Sequence, residues 1–231
     1  MIISHKHRFI FIKTRKTAGT SIEIALSKIC GDADILTPIN PEDEEVRKEI
    51  SGKTAQNYLI PFSKYSVRDW LRLLKNGKRV TYFNHMSATD VKARIDSRIW
   101  EDYFTFCFDR EPMSKAISHY KWRRKKVNYA DFGAYLASGD TDLIHSKSFY
   151  TNNQGKVMVD AVYKMEEMDV AFHDIAARIG VETLEPPAFK TKSTRNETDI
   201  NPIALKQQYG NTLRKLFHQE YTNLYDDAKR N

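Results

Sequence analysis

RFIFIKTRKTAGTSIEIALS, residues Arg8 to Ser27, is the stretch on which the reading of the fold turns. Phe9 to Ile12 is a short run of β-branched and aromatic residues bounded by charge, the pattern of a buried parallel strand. Thr20 to Leu26 carries Ile22, Ala25 and Leu26 at helical spacing, so the strand hands directly into a helix. Between the two lies KTRKTAGTS, a basic, hydroxyl-rich turn. Gly19 lets the backbone approach a ligand closely, and the free amides and positive dipole end of the helix attract phosphate. Lys13, Arg15 and Lys16 add full charges, while Thr17, Thr20 and Ser21 add hydroxyl donors. The turn from Arg15 through Ala18 to Ser21 therefore reads as an anion cradle. It is not GxxxxGK[ST], because its glycine follows the lysine, so a nucleoside triphosphate with magnesium is the weaker reading.

A chain of 231 residues suits one domain, 1-231, with an insertion or cap at about 31-64 where ILTPINPEDEE breaks the pattern. Hydrophobic residues at 41% and charged residues at 29% are ordinary for a soluble globular protein. The net charge of +7 favours anionic partners: a nucleotide, an acidic polysaccharide, nucleic acid or an anionic membrane surface. Cys30 and Cys107 are too few for a disulfide scaffold and read as reduced, buried thiols. No run approaches the ~20 apolar residues of a membrane span, and MIISHKHRF has no apolar leader core. The expectation is a cytoplasmic protein, or a catalytic domain cut free of an anchor.

Further along, a short acidic helix spans about Pro41 to Ile50. Ser66 caps a helix, VRDWLRLLKN, closed by Gly77, whose Val67, Trp70, Leu71 and Leu74 are expected to face the core. Val80 to Phe83 reads as a second strand, which would put His85 at a carboxyl edge where open α/β sheets bind ligands. Ser87 with Asp90 starts the next helix as a capping box. Tyr103 to Phe108 is another central strand, and Pro112 begins a helix with Met113, Ala116, Ile117 and Tyr120 inward. Arg110 then stands at the strand tip, with Ser114 and Ser118 on one face of the helix, able to grip a phosphate from two sides.

The basic run KWRRKK, Lys121 to Lys126, is either a solvated face or part of an acceptor groove with Trp122 stacking on a sugar. Asp131 to Ala137 is helical, Gln154-Gly155 marks a hairpin tip, and Val157 to Met165 is a strand. An amphipathic helix follows, closed by Gly180, with His173 on its outer face. Asn201 to Asp227 is helical and expected to pack back onto the sheet. The fold class is α/β, a single P-loop-like domain with a central, mostly parallel sheet flanked by helices.

KTAGTS resembles the 5′-phosphosulfate loop of the sulfotransferases, particularly the carbohydrate sulfotransferases of the family 2 type, where a strand ends in a PKTAGTS-like turn. Arg110 followed eight positions later by Ser118 resembles their 3′-phosphate site, and HMSATD resembles the segment carrying a histidine base. Arg15 stands where the family has proline, and Arg110-Glu111-Pro112 replaces the common Arg-Asp-Pro.

The resemblance implies 3′-phosphoadenosine 5′-phosphosulfate as donor and 3′-phosphoadenosine 5′-phosphate as product. It also implies Lys16 and His85 as catalytic residues, Glu166 at a strand end, and a closing loop with Lys192, Ser193 and Arg195. The acceptor it implies is a hydroxyl, on a carbohydrate, which the basic run would suit if anionic. The scheme needs no metal, and no nucleic acid is expected as partner. A nucleotide kinase or NTPase holding magnesium on Asp109 is the rival enzyme class. A polyanion-binding protein using KWRRKK is the non-enzymatic one.

Overall fold

Alternation along the strands decides which side of the sheet each residue buries. In β2 (Phe9–Ile12), Phe9 and Phe11 enter one core cluster while Ile10 and Ile12 enter another, and all four are buried. The computed structural model describes residues 1–187 and 200–225. Its sheet has the order β3-β1-β2-β4-β5, with β1 Ile2–Ser4, β3 Ile35–Leu36, β4 Phe104–Asp109 and β5 Ala161–Lys164.

Strands β2, β4 and β5 are parallel, but β1 runs antiparallel to both of its neighbours. The sheet is therefore mixed, a correction to the mostly parallel one expected. The cause is local: β1 returns to β2 through a turn too short for the crossover a parallel pair needs. Asp34 braces that turn by accepting the His5 and Lys6 amides at 2.7 and 3.0 Å and the Ser4 hydroxyl at 2.7 Å.

The helices are α1 Gly19–Ser27, α2 Pro41–Glu49, α3 Val67–Asn76, α4 Ala88–Arg94, α5 Ser97–Asp102, α6 Pro112–Arg123, α7 Phe132–Ala137, α8 Lys147–Tyr150, α9 Met168–Ile179 and α10 Pro202–Leu216. Helices α1 and α9 cover one face of the sheet, through Ile22, Leu26, Phe172 and Ile175 packed on Phe9, Phe11, Phe106 and Phe108. Val91 and Trp100, with Tyr150 of α8, cover the other. A third cluster joins α6, α7 and α10, so the buried Leu213 and Phe217 meet Ile117, Tyr120 and Tyr135. The carboxyl-terminal helix thus packs on helices and not on the sheet as expected.

Two further expectations are corrected. Val80 to Phe83 is not a strand of the sheet. It pairs only with 58–60, through the Leu59↔Thr81 bridge and the Tyr82 amide to the Tyr58 carbonyl at 2.8 Å. The apolar face of α3 does not reach the core. Val67 is 78% exposed, Leu71 63% and Leu74 81%. It is Asp69 that α3 buries, ion-paired to Arg94. The helix bounds are nonetheless those of the sequence reading, with Ser66 and Asp69 forming a capping box and Gly77 at φ 64 closing the helix.

The stretch 31–64 supplies the edge strand β3 and the helix α2. Arg47 of α2 is fully buried, 3.3 Å from Glu23 of α1.

Candidate active site

The parallel register Ile12↔Cys107 puts the carboxyl tips of β2 and β4 side by side. Thr14, just beyond β2, donates its hydroxyl to the Phe108 carbonyl of β4, and its oxygen lies 2.8 Å from that of Thr17. Both threonines are buried, so the Thr17 hydroxyl is engaged within the loop. The turn beyond is wound by two non-glycine residues in the left-handed region, Lys16 at φ 61 and Ala18 at φ 56. Gly19 is needed for a different reason: a Cβ there would stand 2.8 Å from Lys13 Cγ. Its close approach is to the loop's own lysine.

Helix α1 begins without a side-chain cap and without an acidic residue in its first turn. Its first amides and the positive end of its dipole are left for an anion. Thr20 and Ser21, both half-buried, stand at that end.

The loop's lysines divide. Lys13 is buried, 2.9 Å from Glu23 Oε2 and 3.3 Å from Asn84 Oδ1, so its charge is neutralised inside the protein. This corrects the reading of Lys13 as a free charge of the cradle. Lys16 makes no ion pair among the described residues and lies 5.8 Å from the centre of the Trp122 ring. Burial, followed by the positive fields of Arg110 and Lys125, lowers its pKa. Arg15 donates to the Leu143 carbonyl at 3.2 Å.

His85 is brought to this loop although no strand precedes it. Its Nδ1 lies 3.0 Å from the Lys13 carbonyl oxygen, and its ring meets Phe149 edge-on at 6.0 Å. A carbonyl only accepts, so Nδ1 carries the proton and Nε2 is left with its lone pair. Burial, with Lys13 next, lowers the His85 pKa to about 4, so the ring is neutral near pH 7. A neutral imidazole with an open Nε2 can take a proton.

These groups line one cleft of about 550 Å³, together with His119, Trp122 and Arg123 of α6 and with Leu143 and Ile144. That volume suits a nucleotide-sized ligand. His119 is the residue the sequence reading passed over. Its Nδ1 is 2.9 Å from the Tyr135 hydroxyl, its ring stacks on Trp122 at 5.6 Å, and its pKa is lowered to about 4 by burial and then by Lys16. The available signal was its position three residues before Trp122, on the same helical face.

Arg110 and Ser118 are half-buried and do not line this cleft. Arg110 sits at the neighbouring strand tip, where burial lowers its pKa against the fields of Glu166 and Glu111. Glu166 accepts the Glu111 amide at 2.9 Å, and Glu111 caps α6 by accepting the Ser114 amide at 2.7 Å. Asp109 is buried and engaged by Lys115, the Arg110 amide and the Tyr150 hydroxyl. Lys192, Ser193 and Arg195 lie outside the described residues.

Compared with known proteins, the chain matches the model of the sulfotransferase family over residues 1–226. It belongs to the sulfotransferase family. No curated protein and no solved structure matches it. As a sulfotransferase it is an enzyme that transfers sulfate to an acceptor. No group of three or more potential metal ligands occurs among the described residues, and no described helix is long and apolar enough to cross a membrane.

Proposed function

We propose that this sulfotransferase moves a sulfuryl group from 3′-phosphoadenosine 5′-phosphosulfate to a hydroxyl of a carbohydrate by in-line displacement. When bound, that donor supplies an activated sulfur on a bisphosphate leaving group. The uncapped start of α1 and Lys16 fit such an anion, because the loop presents amides and two cations, Arg15 and Lys16, with no carboxylate paired to either among the described residues. The residues that would hold it are Arg15 through Ser21 at the 5′ side and Arg110 with Ser118 at the 3′-phosphate.

His85 Nε2 takes the proton of the attacking hydroxyl. Lys16 and the loop amides stabilise charge gathering on the departing oxygen, a task for fixed positive groups in a water-poor site. Trp122, 46% exposed at the cleft, offers a flat face to a sugar ring. Charge along Lys121 to Lys126 favours an anionic acceptor.

The observation that carries this reading is the bond from His85 Nδ1 to the Lys13 carbonyl, which leaves the Nε2 lone pair open in the cleft that also holds Lys16. Sulfuryl transfer to a panel of oligosaccharides, followed with a labelled donor, tests it. His85→Ala should lower turnover by about 10²–10⁴-fold with donor affinity retained. Equal turnover in that variant overturns the assignment.

The kinase alternative needs a carboxylate free to hold magnesium, and Asp109 is already engaged by Lys115 and Tyr150.

A further inference from the structure

Helix α3 presents a surface that the catalytic reading does not use. Val67, Trp70, Leu71 and Leu74 recur at helical spacing and are between 44% and 81% exposed. Phe62, just before the helix and 46% exposed, stacks on Trp70 at 5.5 Å and 20° and extends the same patch. Trp70 is fixed by a second ring, Tyr65, at 5.3 Å.

At 100° per residue, Arg68, Arg72 and Lys75 fall together along one flank of this face. Lys78 and Arg79 follow directly after Gly77, and all five cations are exposed. Asp69, the one acidic residue of the helix, is buried against Arg94, so its charge is neutralised away from this surface. The helix itself is held at both ends by its capping box and by Gly77.

Large exposed apolar side chains on a capped helix, flanked by cations and with the helix's one acid paired, suit one kind of partner. We propose that α3 docks this enzyme peripherally on a membrane rich in anionic phospholipid. Phe62, Trp70, Leu71 and Leu74 lie at the level of the headgroups and upper acyl chains, and the five cations lie among the phosphates. A second copy of the chain is the poorer occupant, since self-pairing would bring two sets of five cations together. The inference concerns a surface apart from the cleft and does not depend on which donor or acceptor the cleft takes.

The test is sedimentation of the full chain with vesicles of phosphatidylcholine alone and of phosphatidylcholine mixed with phosphatidylglycerol. Binding is expected on the mixed vesicles only and should weaken as salt is raised. Brominated phosphatidylcholine in the mixed vesicles should quench tryptophan emission, and Trp70→Phe should remove that quenching while the protein still sediments. Arg68→Gln with Arg72→Gln should lower the partition coefficient roughly 30-fold. Leu71→Asp with Leu74→Asp should lower it roughly 100-fold. The substituted side chains are exposed, so circular dichroism and thermal unfolding should match the parent protein.

Four results would overturn the proposal. They are no sedimentation with mixed vesicles at low salt, full binding by the leucine double variant, self-association that this variant abolishes, or equally tight binding to poly-glutamate that the leucine changes leave untouched.

Discussion

Two helices start side by side at the carboxyl edge of the sheet, and they start differently. Helix α1, after β2, has no side-chain cap and no acidic residue in its first turn. Helix α6, after β4, has Pro112 at its start and Glu111 as its cap. The Glu111 carboxylate accepts both the Ser114 amide at 2.7 Å and the Tyr221 hydroxyl at 2.9 Å. One helix end is left for an outside anion, and the other is closed by its own carboxylate. In the proposed donor site, a phosphate at the second tip must therefore be held by side chains, Arg110 and Ser118, and not by helix amides. The lysines repeat the contrast: Lys13 and Lys115 are buried on Glu23 and Asp109, while Lys16 faces the cleft.

Glu23→Ala would leave Lys13 and Arg47 buried without their shared carboxylate, so urea unfolding should show a loss of about 3–5 kcal/mol. A loss under 1 kcal/mol would mean that the network is not what supports the first tip. Lys16→Ala should leave unfolding unchanged but cut turnover by about 10²–10³-fold, since it removes charge from the cleft without touching a structural partner.

With His85 as the proposed base, the acid limb of kcat/KM should lie near pH 4 and not near 6.5, because burial lowers its pKa and only the neutral ring can accept the proton. The sign for stability follows from the same shift. The unfolded chain takes up the proton first, so the His85 contribution is complete above about pH 6.5 and declines as pH falls toward about 4.

Glu111→Ala should cost about 1 kcal/mol through the first turn of α6, with binding at the α1 tip unaffected. Ala18→Gly should be the smallest change, within about 1 kcal/mol, because it trades relief at φ 56 for a more flexible unfolded chain. Thermal scans of both variants measure the difference between a cap and a cradle.

The strand, turn and helix from Phe9 to Ser27 were legible because apolar runs, a basic turn and a glycine all point the same way. So were the bounds of α3, which depend on local caps. Which way α3 faces was not legible: an apolar stripe has the same spacing whether it meets a core or nothing. The strand reading of Val80 to Phe83 failed likewise, since a short apolar run also suits a two-residue bridge.

At the site, the charges of the loop were visible but their partners were not. Lys13 and Lys16 stand three apart in one basic turn, and only the fold brings Glu23 and Asn84 to the first. His119 was hidden by a sequence position one turn before Trp122 that reads equally as helix interior. The sequence puts His85 at the end of a strand that is not there, and it is the bond to the Lys13 carbonyl that brings it to the cleft.

In the proposed donor complex the two tips, unlike in construction, hold opposite ends of one nucleotide. Calorimetry with 3′-phosphoadenosine 5′-phosphate tests it most directly, using the parent protein, Lys16→Ala and Arg110→Ala, with magnesium-ATP as the competing ligand. The account predicts one equivalent bound without magnesium and weakened by each substitution. It further predicts that Arg110→Ala loses the preference over the analogue lacking the 3′-phosphate. Parent-like affinity in Arg110→Ala, or tighter binding of magnesium-ATP, would contradict it.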